Sequence, residues 1–521
     1  MREGSHVATK VQLEVDEAKS SRQIKIGALM SYVAIGFNVL AGLLYTPWMI
    51  AEIGQASYGL YMLSISLVSM FALDFGLEAA VSRFLSKYYA LGDRDGAAKF
   101  LGVAFKLFLG IAGLIACVLI GVYVMIETIY ASLSPAEVET LKVLYIMVGF
   151  YIVVLFPTKP FNGIFVANER FVVLNWFNLS EKVLTVLMMV GALLLGFGLY
   201  ALVFVNAIVG LAIIVGKGLY LFKKTDTVVE WLYQSGAMYR DIFSFSSWTT
   251  IIALAQRFIL NITPTILGAV AGSASIALFS IGMVIEGYVW TIASAIGSLF
   301  LPKVTRMTTN NRHDALEDLL IRVGRIQLFI VGLIIVGFMT MGQEFIRLWV
   351  GDAFKTSYLI ALLLIVPGFI TLTQEIAYTT LIAVNQIKFR AFASLIVATV
   401  SVTLSLILSP QYGAVGAAVA ILIGNVVGTV IFMNIVYMKV LNLNMWRFFL
   451  ACHVKTAPAF FFLAIVGVLM QTYFPVDSLF AFLLKALVMG ALYAAFLWLF
   501  TFRESEKQLV LSVVRRVSKT S

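Results

Sequence analysis

Long apolar runs alternate with short polar connections along almost the whole chain. Runs of roughly 20 residues, each about enough to cross ~30 Å of hydrocarbon, recur at near-regular intervals. Fourteen can be placed, near 27–49, 57–79, 100–126, 141–166, 171–195, 199–222, 241–267, 275–300, 323–343, 357–383, 389–409, 413–437, 456–474 and 479–501. The pattern predicts an all-α polytopic membrane protein with fourteen transmembrane helices. Within it, Ser134-Pro135-Ala136-Glu137 reads as an N-cap followed by proline, which opens a helix. Pro157, Pro264, Pro367 and Pro458 fall in spans and permit kinks, because proline removes a helix hydrogen bond.

The pattern also repeats. Val166-Ala-Asn168-Glu-Arg170-Phe171 leads into an apolar helix, and Gly196-Phe-Gly198 opens another that carries Gly210. About 218 residues later, Ala383-Val-Asn385-Gln-Ile-Lys388-Phe389 and Tyr412-Gly413-Ala-Val-Gly416 do the same, with Gly428 in place of Gly210. Duplicated halves are a common construction of membrane transporters, with substrate held between them. The expected organisation is a tail (1–25), a first six-helix lobe (26–222), a linker (223–240) and a pseudo-symmetric second lobe (241–438). Two additional helices without a counterpart in the repeat (439–502) and a C-terminal tail (503–521) follow. Gly54, Gly59, Gly198, Gly413 and Gly416 are read as sites of tight turns and close helix approach.

Composition agrees with the pattern: 61% of residues are hydrophobic and only 12% charged, far below the ~25% of soluble domains. The net charge of +10 would suit a nucleic-acid partner, but its distribution does not. Of 37 Lys and Arg, Lys142, Arg347 and Lys355 lie on one side and Lys182, Arg257 and Lys485 inside spans; the rest fall in alternate connections and the termini. That is the positive-inside bias, and it puts both termini in the cytoplasm. No extended basic face remains for phosphate backbones, so nucleic-acid binding is excluded. The first 25 residues lack an apolar core and read as a cytoplasmic tail rather than a signal peptide. Cys117 and Cys452 suggest neither a disulfide nor a metal cluster, and the three histidines have no ligand spacing. Neither a Walker loop nor a nucleophile motif is present, so the chain is not read as an enzyme and no cofactor is expected.

The informative exceptions are charges inside spans, which cost several kcal/mol unless they meet a partner or a wet cavity. By rise per residue, Arg257 and Glu286 lie ~15 Å deep on consecutive helices, and Glu181 and Lys182 lie at similar depth on the fifth. Arg257 and Lys182 are candidates to hold an anionic headgroup, since guanidinium donors can bind two phosphate oxygens at once. Glu286 and Glu181 are candidate cavity acids; the other reading is that Arg257 and Glu286 simply pair. Asp74 and Glu375 sit deeper toward the cytoplasmic side, while Glu78, Arg83, Arg170 and Lys388 are at cytoplasmic helix ends. These six are coupling or gate candidates, and one of the acids could take H+ or Na+.

Pro47…Gly54…Tyr58-Gly59-Leu-Tyr61, followed by Asp74-Phe-Gly76-Leu…Arg83 and Gly92-Asp93, resembles the first two helices of the polysaccharide transporter family. These are Wzx-type O-antigen and exopolysaccharide flippases of the multidrug/oligosaccharidyl-lipid/polysaccharide exporter superfamily. The turn at Asn168 and the glycine-led helices at Gly196 and Gly413 are similar to it as well. Gly268-Ala-Val-Ala-Gly272 fits the family's second lobe, whereas Ala277-Leu-Phe279 departs from the Gly-x-Tyr usual there. The resemblance implies a bacterial inner-membrane protein that carries polyprenyl-diphosphate-linked oligosaccharide to the periplasmic leaflet by alternating access. Membrane lipids and a polysaccharide polymerase or export complex are the other implied partners. Three alternatives compete. A multidrug or cation antiporter of the superfamily usually has twelve helices and an acidic cavity; a lipid II flippase would share the fourteen helices and basic cavity. A membrane polymerase or ligase would need a large outer loop, and the longest outer connection here is the short one around Ser134.

Overall fold

The computed structural model describes residues 36–37, 39–71, 77–225, 227–297, 300–309, 313–504, 506–508 and 511. These residues form helices and connections, with no strand among them. Among the described residues, ten segments are long and apolar enough to cross a membrane. One of them, Lys388–Lys439, runs through two predicted spans and bends at Gly413, whose φ of 55° and ψ of −135° break the helix. Other predicted spans fall on Val39–Ile53, on Gln55–Phe71 with Leu77–Ala90, and on Gly236–Val270. Side chains such as Leu114, Ile120, Phe461 and Phe480 are largely exposed, which suits a hydrocarbon solvent and not water.

Local signals explain the helix ends. Ser134 accepts a hydrogen bond from the Glu137 amide, and Glu137 accepts one from the Ser134 amide, a complete capping box that starts Pro135–Leu155. Pro157 sits in a 3-10 turn, Phe156–Thr158, and Pro367 separates Ser357–Ile365 from Gly368–Thr371. Pro264 is carried within Gly236–Val270. Pro458 differs from expectation: it occupies the first turn of Ala457–Tyr473, where its missing N–H costs nothing. Pro302-Lys303, Arg306 and the bases that follow as far as Arg325 read in the sequence as a long basic loop; the described residues there are instead helical, in Leu301–Thr309 and the first turns of His313–Val350.

The repeat is visible in the backbone. Gly54 and Gly272, 218 positions apart, have φ of 81° and 80°. The paired turns after Ala167 and Ala383 each contain a left-handed residue, Glu169 (φ 54°) and Asn385 (φ 56°). Gly210 and Gly428 both mark close approaches. A Cβ on Gly210 would stand 2.1 Å from the Tyr151 hydroxyl, and one on Gly428 2.8 Å from the Ala393 carbonyl.

The chain divides into two compact units, residues 1–277 with 409–413, and residues 278–408 with 414–521. In the first, Gln55–Phe71 packs on Gly236–Val270 and Pro135–Leu155, Leu77–Ala90 on Pro160–Ala167, and Phe171–Leu194 on Leu199–Lys224. The second is built around His313–Val350, which packs on Ala457–Tyr473 and Leu479–Phe496. Its core joins Leu320, Leu328, Phe448, Leu463 and Tyr493.

Candidate functional site

A cavity of about 310 Å³ opens within the first unit. Helix Phe171–Leu194 contributes Glu181, Lys182 and Thr185 to its lining, which one turn of spacing places on a common face. Three tyrosines from three other helices, Tyr45, Tyr61 and Tyr151, complete the wall with Asn206. Asn206 is fixed by donating to the Tyr61 hydroxyl at 3.2 Å and to the Leu202 carbonyl at 3.1 Å. Tyr151 reaches its place because the residue facing it is Gly210, one of the repeated glycines. The cavity therefore offers one ammonium, one carboxyl, an amide and phenolic hydroxyls on an otherwise apolar wall. Such a set can hold an anion at Lys182 and hydrogen-bond neutral hydroxyl-rich groups around it.

A second polar cluster lies nearer the Phe171 end of the same helix bundle. Glu78 pairs with Lys159 at 3.6 Å and accepts from the Asn162 side-chain amide at 3.3 Å. The Asn162 oxygen in turn accepts from the Lys217 ammonium at 3.1 Å, and Asn178 accepts from that ammonium at the same distance. Lys217 is buried, and its inward bonds rule out a side chain snorkelling to the surface.

The expected site residues thus separate. Glu181 and Lys182 come together at one cavity, and Glu78 joins the second cluster. Arg170 is exposed at a helix end, as is Lys388, whose ammonium lies 5.3 Å from the Phe389 ring centroid; Arg83, expected at a helix end, is exposed midway along Leu77–Ala90, because that helix continues past the predicted end of the span. Glu375 begins Glu375–Ala383 and is within electrostatic reach of Arg390, which stacks over Tyr378 at 4.7 Å. Glu286 is half-buried in Gly272–Gly297. Arg257 belongs to helix Gly236–Val270, but its side chain lies outside the described residues, as does Asp74 altogether.

Three charged groups escaped the sequence reading. Lys217 falls among the bases that the charge count leaves outside the spans, yet it is buried seven residues inside the end of Leu199–Lys224. Arg325 was assigned to a basic loop. It is instead buried in His313–Val350, bonded through Nε to Glu506 at 2.6 Å. Lys485 was placed in a span without a partner; Glu344 supplies one at 2.6 Å, both groups being buried.

Comparison with known proteins follows the same lines. Residues 25–301, just over half the chain, match the family described as polysaccharide biosynthesis protein. A probable low-salt glycan biosynthesis flippase, Agl15 of Haloferax volcanii, is 20% identical over 192 residues, covering 37% of this chain and 41% of that protein. The alignment thus spans less than half of that relative. Among solved structures, the lipid II flippase MurJ in an inward closed conformation superposes with a TM-score of 0.71 at 16% identity, covering 90% of this chain and 98% of that one. An inward-facing multidrug resistance transporter of the MATE family gives 0.60, also at 16% identity, over 81% and 98%. At these identities the structural likeness speaks for the fold.

Proposed function

This chain belongs to the polysaccharide biosynthesis protein family, and from that premise we propose that it is a flippase for polyprenyl-diphosphate-linked oligosaccharide. The substrate passes from the cytoplasmic to the outer leaflet of a bacterial inner membrane, for surface polysaccharide assembly. Lobes 26–222 and 241–438, tied by the linker, alternate in access to it, and both termini are cytoplasmic. Membrane lipids and a polymerase or export complex are the expected partners.

The observation that carries the reading is the meeting of Lys182 and Glu181 with Tyr45, Tyr61, Tyr151 and Asn206 around one cavity. Lys182 supplies charge for a diphosphate oxygen; the hydroxyls and amide supply partners for sugar hydroxyls. Arg257, at matching depth by sequence, is the second proposed phosphate ligand. The apolar wall lets the isoprenoid chain stay in lipid while only the headgroup is desolvated.

Cells depleted of the protein provide the test. Lipid-linked saccharides are quantified by mass spectrometry, together with a label that reaches only the outer leaflet. Accumulation of diphosphate-linked oligosaccharide inaccessible to the label supports the flippase. Accumulation of lipid II instead moves the assignment to a lipid II flippase, and unchanged pools with altered tolerance to cationic drugs move it to an antiporter. Lys182→Ala is expected to lower transport at least tenfold at normal protein abundance, about 1.4 kcal/mol for a lost charge-assisted bond. Lys182→Arg keeps a phosphate ligand and is expected to retain part of the rate. Normal transport by Lys182→Ala would remove this residue from the headgroup site.

A further inference from the structure

No residue of the second polar cluster lines the cavity, yet the cluster contains a buried charge. Lys217 donates to two neutral side-chain amides, Asn162 and Asn178, and no carboxylate among the described residues lies within ion-pair distance of it. The second unit provides an internal control. Its equivalent pair of spans is tied by Asn434, one residue short of the strict repeat position, which exchanges hydrogen bonds with Gln374 at 2.9 and 3.4 Å. Both of those amides are buried. Neutral amides therefore suffice to tie these two spans together, and a lysine is the more costly solution.

We propose that Lys217 is a proton-binding site of the first unit, taking up and releasing the proton that drives transport. The proposal rests on the flippase reading for what is driven, but not for the proton site itself.

The surroundings suit such a group in both of its forms. A carboxamide presents its oxygen to an ammonium, and after rotation presents its N–H to the lone pair of the neutral amine. A close carboxylate would hold the ammonium permanently; two amides do not. The step is a proton transfer alone: the ammonium gives one proton to water or a carboxylate and becomes the amine, and recovers one proton to return.

A route exists on each side. Asn162 bridges Lys217 to Glu78, and Glu78 contacts Lys159 at the start of Pro160–Ala167. In the other direction, Asn178 is exposed and lies one helical turn from Glu181 on the face that lines the cavity. Among the described residues, the titratable groups that the spans around Leu199–Lys224 bring to the two polar clusters include Glu78 and Lys159, Glu181 and Lys182, and Tyr61 and Tyr151, with Tyr220 one turn along the same helix. The charges of both Glu78 and Glu181 reach it. Loading or emptying Lys217 thus changes the electrostatic surroundings of the cavity acid and of the Glu78–Lys159 pair together.

Full-length protein carrying lysine labelled with 13C at Cε, in lipid nanodiscs, tests the site without any substrate. The Lys217 resonance is the one missing from both Lys217→Gln and Lys217→Arg. It is expected to move between its ammonium and amine positions over about pH 5 to 9, a range accessible to a buried lysine. A resonance fixed at the ammonium position throughout would overturn the proposal. The second measurement uses liposomes and undecaprenyl-diphosphate-linked N-acetylglucosamine as the probe lipid. A gradient of one pH unit is expected to stimulate wild-type flipping by up to about tenfold. Lys217→Gln and Lys217→Arg should flip the probe without that stimulation, since neither side chain exchanges a proton in this range. Stimulation that survives in both variants also overturns the proposal. A wild type that titrates at Lys217 but moves no probe lipid would instead count against the flippase reading and leave the proton site standing.

Discussion

Arg325 spends its guanidinium donors on four acceptors: both oxygens of Glu506, at 2.6 and 3.1 Å, and the carbonyls of Ala451 and Thr501, each at 3.1 Å. Glu506 also accepts from the Arg503 amide at 2.9 Å. Arg325 is 2% and Glu506 5% exposed, so neither charge can turn to water if the other is lost. Glu506→Ala is therefore expected to cost about 3–5 kcal/mol of stability. The double replacement Arg325→Met with Glu506→Leu should recover most of it, because the desolvation cost disappears with the charges. Thermal unfolding in nanodiscs checks both, and equal loss in single and double variants would contradict the ion-pair account. This pair also marks the limit of what could be read from the chain. The charges at Glu181 and Lys182 stood out because apolar residues flank them on both sides. Arg325 stood at the edge of a basic stretch and its partner in a terminal tail 181 positions away. Nothing local distinguishes such residues from solvated ones; only the fold brings them together.

Elements that carry their own signal were legible. The capping box at Ser134 and the paired turns after Ala167 and Ala383 depend on neighbours within a few residues. The linker did not have that advantage. Its polar composition predicts a connection over 223–240, but not that the connection is strapped along helix Arg94–Val124. The Glu230 amide donates to the Ala98 carbonyl at 3.0 Å, the Lys106 ammonium donates to the Tyr233 carbonyl, and Trp231 packs on Phe105 at 5.6 Å between ring centroids. Gly102 makes this possible: a Cβ there would stand 1.9 Å from the Glu230 carbonyl oxygen, and backbone cannot yield that distance without moving. Gly102→Val is expected to unseat the strap while leaving the helix, since valine is tolerated in apolar helices. Hydrogen exchange across 227–235 should accelerate at least tenfold, about 1.4 kcal/mol of lost protection. Unchanged exchange would mean that the strap is held elsewhere. In Lys106→Ala, which removes one bond and creates no clash, a smaller acceleration is expected.

For the whole molecule, the repeat accounts for twelve of the predicted spans and leaves the last two as an addition, which invites the idea that they could be removed. The buried charges argue otherwise. Helix His313–Val350 carries Arg325 about a third of the way along and Glu344 nineteen residues on, about 28 Å further along the axis. Arg325 is satisfied by Ala451, Thr501 and Glu506. Glu344 is satisfied by Lys485 at 2.6 Å and by the Val476 amide at 3.0 Å. Every one of these partners lies in residues 445–506, so the C-terminal helices are tied to the central helix of the second unit at two points about 28 Å apart. Gly332 and Gly467 let the same helices approach closely: a Cβ at Gly332 would meet the Phe460 ring at 2.1 Å, and one at Gly467 the Thr340 hydroxyl at 2.2 Å. A chain ending at 444 would leave an arginine and a glutamate unpaired at membrane depth, each costing several kcal/mol. That chain is expected not to accumulate in membranes, as followed by fluorescence-detected size-exclusion of a tagged protein. Adding Arg325→Met and Glu344→Leu to the same truncation removes both stranded charges and is expected to restore a folded, monodisperse fraction. If the truncated chain accumulates normally with its charges intact, the ion pairs are not what binds the added helices. If neutralising both charges restores nothing, apolar packing against Phe460, Leu463 and Tyr493 holds the unit together in their place.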